Sequence, residues 1–218
     1  MKIDFAVPND GQVHRICLRC HAEDVVRERR DGRIWYTCRV CDHRDGKALY
    51  WGAGREWIAE DGELWHEVAA VLVRDPGGRV LLYERIEFPF GCLTVPAGHI
   101  DRGELPAVAA ARELMEEVCV QATSLQPTLV LDVLDEACSG GADAHRWHVF
   151  TQTVPADTPI SVTEEEGRHP VWLTPKEALT QNLLPHVRRV LETLDARAPR
   201  RSIRRPLRKP AFISTIFR

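Results

Sequence analysis

Three glutamates, Glu113, Glu116 and Glu117, stand at i, i+3 and i+4 within Gly98–Val120, which reads GHIDRGELPAVAAARELMEEVCV. On a 3.6-residue period they share one helix face. Like charges at that spacing repel, and a same-sign i,i+4 pair mildly destabilises a helix. A divalent cation removes that cost, and hard carboxylate oxygens suit Mg²⁺ or Mn²⁺. Three glutamates alone also describe an ordinary solvated helix face, so the residues around them decide. Counting from Gly98 there are five residues, then Glu104, then seven more, then Arg112-Glu113-Leu114-Met115-Glu116-Glu117. A second group has different chemistry. Cys17-x2-Cys20, seventeen residues, then Cys38-x2-Cys41 lies within the spacing range of a four-thiolate zinc site.

The elements that must position these groups follow from hydrophobic period and turn residues. A helix is expected over Ala107–Val118. Ala107, Val108, Ala111, Leu114 and Val118 form the face that packs on a sheet, and the glutamates lie opposite. Val68–Val73 is a short apolar run typical of a buried strand, and Asp75-Pro76-Gly77-Gly78 turns the chain into a second strand at Val80–Tyr83. Trp147–Thr151 and Val171–Leu173 are strand-like. Thr174-Pro175 reads as an N-cap and first helical residue, and a further helical stretch covers His186–Leu194. In the cysteine-bearing part, Val25–Glu28 and Ile34–Thr37 are strands joined by a tight turn at Asp31-Gly32. Mixed strands and helices in this order imply an α/β (α+β) sandwich.

Three parts emerge: a small cysteine module at residues 1–55, a main domain at 60–195 and a basic tail at 196–218. The tail carries eight Lys and Arg and no acid, so the net charge of −3 leaves −11 on the rest of the chain. No run approaches the roughly 18 apolar residues of a membrane span. The first residues lack the basic-then-apolar plan of a secretion signal, and the seven cysteines are odd in number. Cytoplasmic location is the expectation. A 55-residue module has little core of its own, so bound zinc would supply its folding energy. Cys92, Cys119 and Cys138 read as small buried residues rather than nucleophiles.

The Gly98–Val120 stretch resembles the Nudix hydrolase signature at every position but one: Cys119 stands where the family has Gly. The resemblance implies a mixed-sheet α/β/α sandwich and hydrolysis of a pyrophosphate bond. It implies Mg²⁺ or Mn²⁺ held by Glu113, Glu116, Glu117 and the backbone carbonyl of Ala97, and a structural ion pair between Glu104 and Arg112. It also implies one further acid from the loop ahead of a Trp-bearing strand. Here that loop is Glu164-Glu165-Glu166, Trp172 follows, and Glu166 has the best spacing.

The cysteine module resembles a zinc ribbon, with Cys17, Cys20, Cys38 and Cys41 as ligands. The two modules in this order are similar to the NADH pyrophosphatase arrangement, without that group's downstream Ser-Gln-Pro-Trp-Pro-Phe-Pro run. The implied substrate is a nucleoside diphosphate linked to another moiety: a dinucleotide, a nucleotide sugar or a nucleoside triphosphate. Two alternatives stay open: hydrolysis of a nucleotide cap on RNA, and a non-catalytic Nudix fold that binds nucleic acid or senses a ligand. Ribbon and tail leave nucleic acid and a second copy of the chain open as partners.

Overall fold

A computed structural model of the chain describes residues 1–87, 89–136 and 138–197. Of the basic tail only Ala196 and Arg197 are included, at the end of a helix; the remainder lies outside the described residues. The strands are β1 (His14–Ile16), β2 (Val25–Arg30), β3 (Arg33–Cys38), β4 (Arg44–Asp45), β5 (Leu49–Trp51), β6 (Glu56–Ile58), β7 (Leu64–Arg74), β8 (Val80–Arg85), β9 (Leu93–Thr94), β10 (Ala97–His99), β11 (Gln126–Leu134), β12 (Ala144–Thr153) and β13 (Gly167–Leu173). The helices are α1 (Pro106–Val118), α2 (Pro175–Ala178) and α3 (Pro185–Arg197).

The main sheet runs β11-β12-β7-β8-β13, with β6 and β10 paired to β7 and β9 paired to β8. It is mixed: β12 runs parallel to β7, while its other pairings are antiparallel. The long central strand β7 is buried on both faces, which explains its unbroken apolar run. Strand alternation splits that run cleanly. Ala69, Val71 and Val73 pack with Leu81 and Tyr83 against Ala109, Ala110, Leu114 and Val118 of α1. Val68, Ala70 and Leu72 pack with Trp147 and Val149 against Val187, Val190 and Leu191 of α3. The result is the α/β/α sandwich expected from the sequence. At α2, Thr174 makes a capping box with Glu177, and Pro175 occupies the first turn.

The rotation of α1 differs from the expected one. Its buried residues are Ala109, Ala110, Glu113, Leu114, Glu117 and Val118, while Val108 is 54% exposed. Glu113 and Glu117 therefore lie on the flank pressed toward the sheet, not on the opposite face. The reason is tertiary. Apolar period alone would turn Ala107, Val108 and Ala111 inward, but the helix rolls so that Glu117 reaches polar partners on β8 and β10 while Glu113, held by Arg112, lies against Gly98.

The cysteine module forms a two-stranded sheet, β1-β5, and a three-stranded sheet, β2-β3-β4. Asp31 and Gly32 both take positive φ, 53° and 69°, as a primed hairpin turn requires. The module is docked on the main domain. Ala48 and Tyr50 donate backbone hydrogen bonds to the carbonyls of Ser139 and Gly140, and Lys47 pairs with Asp143 at 2.5 Å. Ile3, Ile16 and Leu49 share one apolar cluster with Leu64 and Ala142.

Helix α1 ends on Cys119 at φ 57°, ψ 31°, and the amides of Cys119 and Val120 donate to the carbonyls of Met115 and Leu114. This is the left-handed helix exit that glycine usually fills. Cys119 is exposed, contrary to the expected buried cysteine, whereas Cys92 is buried. A left-handed non-glycine residue costs about 1–2 kcal/mol, partly offset by the greater chain entropy of glycine in the unfolded state. Cys119→Gly is therefore expected to stabilise the protein by about 0.5–1 kcal/mol, read as a rise in Tm; an unchanged or lower Tm contradicts the strain.

Candidate active site

The loop between β10 and α1 is fastened to the helix by one arginine. Arg112 donates Nε to Glu104 Oε1 at 3.1 Å and Nη2 to Glu104 Oε2 at 3.0 Å. Its Nη2 also donates to the His99 carbonyl at 3.0 Å. Nη1 turns the other way, to Glu113 Oε1 at 2.6 Å and Glu116 Oε2 at 3.2 Å. One guanidinium thus ties the loop to the helix and offsets part of the glutamate repulsion. A forked donor can do this and an ammonium cannot. The hydrogen bonds from Arg112 are the main cause of the lowered pKa of Glu104.

Glu113 and Glu117 are 7% and 6% exposed, whereas the Glu116 side chain is 58% exposed. The Glu113 carboxylate lies against Gly98; a Cβ there would fall 2.1 Å from Glu113 Oε1. Glu117 Oε2 accepts from Tyr83 Oη at 2.6 Å and from the Ala97 amide at 3.0 Å. Burial raises the Glu113 pKa to about 7, against the opposing pull of Arg112. Burial likewise raises Glu117 to about 8, opposed by the Tyr83 hydrogen bond. Desolvation and then Glu87 raise the pKa of Glu166. A cleft of about 680 Å³ opens here, lined by Glu113, Glu116, Glu117 and residues 161–166. The structure thus brings together Glu113, Glu116, Glu117 and Glu166 around one space, with Ala97 adjoining through its amide. These carboxylates share one open cleft and concentrate negative charge there, so the residues fit a hard cation.

Two features were not read from the sequence. Tyr83 is the buried partner of Glu117, but in sequence it is one more apolar strand residue. The cysteine module also reaches the cleft's surroundings. Arg29 on β2 pairs with Glu87 at 3.2 Å and donates to the Glu165 carbonyl at 3.5 Å. Beside it, Gly32 lies so close to Phe90 that a Cβ would come within 2.8 Å of the ring.

Cys17, Cys20, Cys38 and Cys41 place their sulfurs within 4.8 Å of one another. Cys17 and Cys41 are 3.7 Å apart, and Cys20 and Cys38 are 3.6 Å apart. Zn–S bonds of ~2.3 Å set two sulfurs of a tetrahedron roughly 3.8 Å apart, whereas a disulfide requires ~2.05 Å. The cluster has the spacing of a zinc site.

A mixed-sheet α/β/α sandwich with this loop and glutamate helix defines a class of pyrophosphohydrolase. The NUDIX domain model matches residues 64–194, and the chain belongs to the Nudix hydrolase family. An uncharacterized Nudix hydrolase, orf19, of Rhodococcus erythropolis is 32% identical over 129 residues, covering 55% of this chain and 69% of that protein. The solution structure of the E. coli ORF135 protein is 26% identical with a TM-score of 0.50, over 63% of this chain and 94% of that one. The Nudix domain of Shewanella oneidensis NrtR, complexed with ADP ribose, shares the fold: TM-score 0.51 at 16% identity, over 61% and 88% of the two chains.

Two outcomes are expected. Gly98→Ala pushes Glu113 out of place and lowers turnover on the order of 100-fold while the protein stays folded; wild-type kinetics would refute the close contact. The second concerns pH. Glu113 and Glu117 have folded pKa values of about 7 and about 8, above the ordinary glutamate value of ~4.3. The folded state holds these protons more tightly, so their contribution is present at low pH and lost as pH rises toward 8. Without Mg²⁺ or Mn²⁺, and with zinc retained, Tm should fall from pH 5 to pH 8, and added Mg²⁺ should restore more at pH 8. A Mg²⁺ effect independent of pH speaks against this origin.

Proposed function

We propose that this Nudix hydrolase cleaves the pyrophosphate bond of a nucleoside diphosphate linked to a second group: a dinucleotide, a nucleotide sugar or a nucleoside triphosphate. The observation that carries the proposal is the set of carboxylates Glu113, Glu116 and Glu117 facing one cleft, with Glu113 seated on Gly98. Mg²⁺ or Mn²⁺ would be held by these three residues and the Ala97 carbonyl. When bound, the cation neutralises diphosphate oxygens and makes water a better nucleophile toward phosphorus.

The chain's own residues have separate tasks in this reading. Glu104 and Arg112 hold the loop so that Ala97 and Gly98 keep their places beside the helix. Tyr83 fixes the rotamer of Glu117 through its hydroxyl. Glu166, across the cleft, accepts the proton released by the attacking water, a role its raised pKa suits at neutral pH. Glu164 and Glu165 line the same loop and are the alternatives for that step. ADP ribose, the ligand of the Shewanella domain, belongs to the proposed substrate class, which supports it.

One observation favours a second substrate, a nucleotide cap on RNA. The ribbon hairpin carries Arg27, Arg29, Arg30 and Arg33, and Arg29 reaches the loop that lines the cleft. Phosphates of an attached strand could follow such a surface. Zinc held by Cys17, Cys20, Cys38 and Cys41 would keep that hairpin in shape. No described helix is long and apolar enough to cross a membrane, and seven free cysteines support a reducing cytoplasm. The basic tail remains a proposed contact for nucleic acid or a second copy of the chain.

The test is a panel of dinucleotides, nucleotide sugars, nucleoside triphosphates and capped RNA with Mg²⁺ or Mn²⁺, run beside Glu117→Gln. Release of a nucleoside phosphate from at least one member is expected, with at least roughly 100-fold slower turnover by the variant. No turnover of any member, or equal turnover by Glu117→Gln, overturns the reading. Glu166→Gln should lower kcat and flatten the acid limb of the pH profile, and an unchanged profile moves the proton acceptor to Glu164 or Glu165.

A further inference from the structure

We propose that the chain holds a second transition-metal site, a zinc ion bound by His66, His99, His145 and Cys138, separate from both the four-cysteine cluster and the glutamate cleft. These four residues each offer one ligand atom within 4.8 Å of the others. Sequence places them far apart: His66 and Cys138 are 72 residues distant. Strand pairing unites them. His66 and His145 are direct partners across the parallel β7–β12 ladder. His99 comes from β10, which also pairs with β7, in register with Val68. Alternation sets all three on the sheet face that carries Val68, Ala97 and Trp147. Cys138 arrives from the β11–β12 connection, where its amide donates to the Ala142 carbonyl and its own carbonyl accepts from Gly141.

The distances and the chemistry agree. His66 Nδ1 is 3.5 Å from Cys138 Sγ. A tetrahedral zinc with Zn–N of ~2.0–2.1 Å and Zn–S of ~2.3 Å separates such a pair by roughly 3.6 Å. The ring centroids of the three histidines lie 5.1 to 5.9 Å apart, edge to face or tilted. His66 and His145 are 7% and 3% exposed, and His145 Nδ1 has no hydrogen-bond partner among the described residues. Buried polar groups are rarely left so, and one beside three other ligand atoms marks a missing partner. Burial also keeps both imidazoles neutral, with pKa values of about 3, which is the ligand form. Imidazole and thiolate together select zinc over the hard cations of the glutamate site.

The surroundings are built to hold these ligands. Gly140 presses its backbone on His66, where a Cβ would fall 2.9 Å from Cε1. The same turn accepts the hydrogen bonds from Ala48 and Tyr50 that dock the ribbon. A metal here fastens the Cys138 turn to the sheet, and through that turn fixes how the ribbon sits. His66 and His99 also line a cavity of about 390 Å³ shared with Arg15, Arg27 and Tyr36 of the ribbon. Binding releases the Cys138 proton to solvent and leaves the thiolate on the ion.

Zinc content of the untagged, full-length protein decides the matter, measured after loading with Zn²⁺ in excess Mg²⁺ to keep the glutamate cleft supplied. His99→Ala and Cys138→Ser should each lose one zinc equivalent relative to wild type. Cys38→Ser/Cys41→Ser should lose a different equivalent, so the combined variants lose both. His99 is exposed, so its replacement leaves the fold intact, checked by an unchanged circular dichroism spectrum. Cobalt gives a second readout: Cys38→Ser/Cys41→Ser loaded with Co²⁺ should keep a thiolate charge-transfer band that disappears when Cys138→Ser is added. Zinc content equal to wild type in both His99→Ala and Cys138→Ser, or no thiolate band in the cobalt-loaded ribbon variant, overturns the site.

Discussion

Two carboxylates withdrawn from water govern this structure. Glu113 and Glu117 sit on the sheet-facing flank of α1, where burial disfavours their charged forms. An isolated buried charge is prohibitive, and a buried polar group must find partners. The surrounding elements supply them. Tyr83 comes from β8, the Ala97 amide from β10, and Arg112 from the helix itself. The roll of α1, the bare Cα of Gly98 and the bidentate clasp on Glu104 all follow from placing those oxygens there. A divalent cation held there, as proposed, would relieve the residual repulsion among Glu113, Glu116, Glu117 and Glu166.

The ribbon is part of the same economy of placement. Alone it has too little core to hold its shape, but it shares Ile3, Ile16 and Leu49 with Leu64 and Ala142. Its hairpin then extends toward the cleft, and Arg29 meets Glu87 and the loop that carries Glu166. Its other edge hydrogen-bonds to the Ser139–Gly140 turn beside the histidine cluster. The module thus touches the surroundings of both sites in the main domain.

Much of the fold was legible because its signals are local. Val68–Val73 and Val80–Tyr83 announced themselves as strands by apolar content, Thr174-Pro175 by cap chemistry, and Asp31-Gly32 by the positive φ that a primed turn demands. The family signature was legible for the same reason, since all its residues lie in one loop and one helix. Strand β11, Gln126–Leu134, carried no such mark. Its exposed and buried residues do not alternate strictly, and Pro127 and Asp132 obscure the pattern. Amphipathic period counts glutamate as solvent-facing and so gives the wrong rotation for α1; Tyr83, the Ala97 amide and Arg112 make the buried flank favourable.

The sequence by itself determined the reaction class, the glutamates at i, i+3 and i+4, the Glu104–Arg112 spacing and the four-cysteine cluster. Each depends on residues close along the chain, where spacing fixes relative position. Tertiary structure alone decided that Glu113 and Glu117 are buried, that Tyr83 holds one of them, and that the ribbon hairpin stands beside the cleft. It alone joined His66, His99, His145 and Cys138. Those four converge only because β7 pairs in parallel with β12 and antiparallel with β10. Pairing between distant strands is a property of the assembled sheet, and no local pattern encodes it.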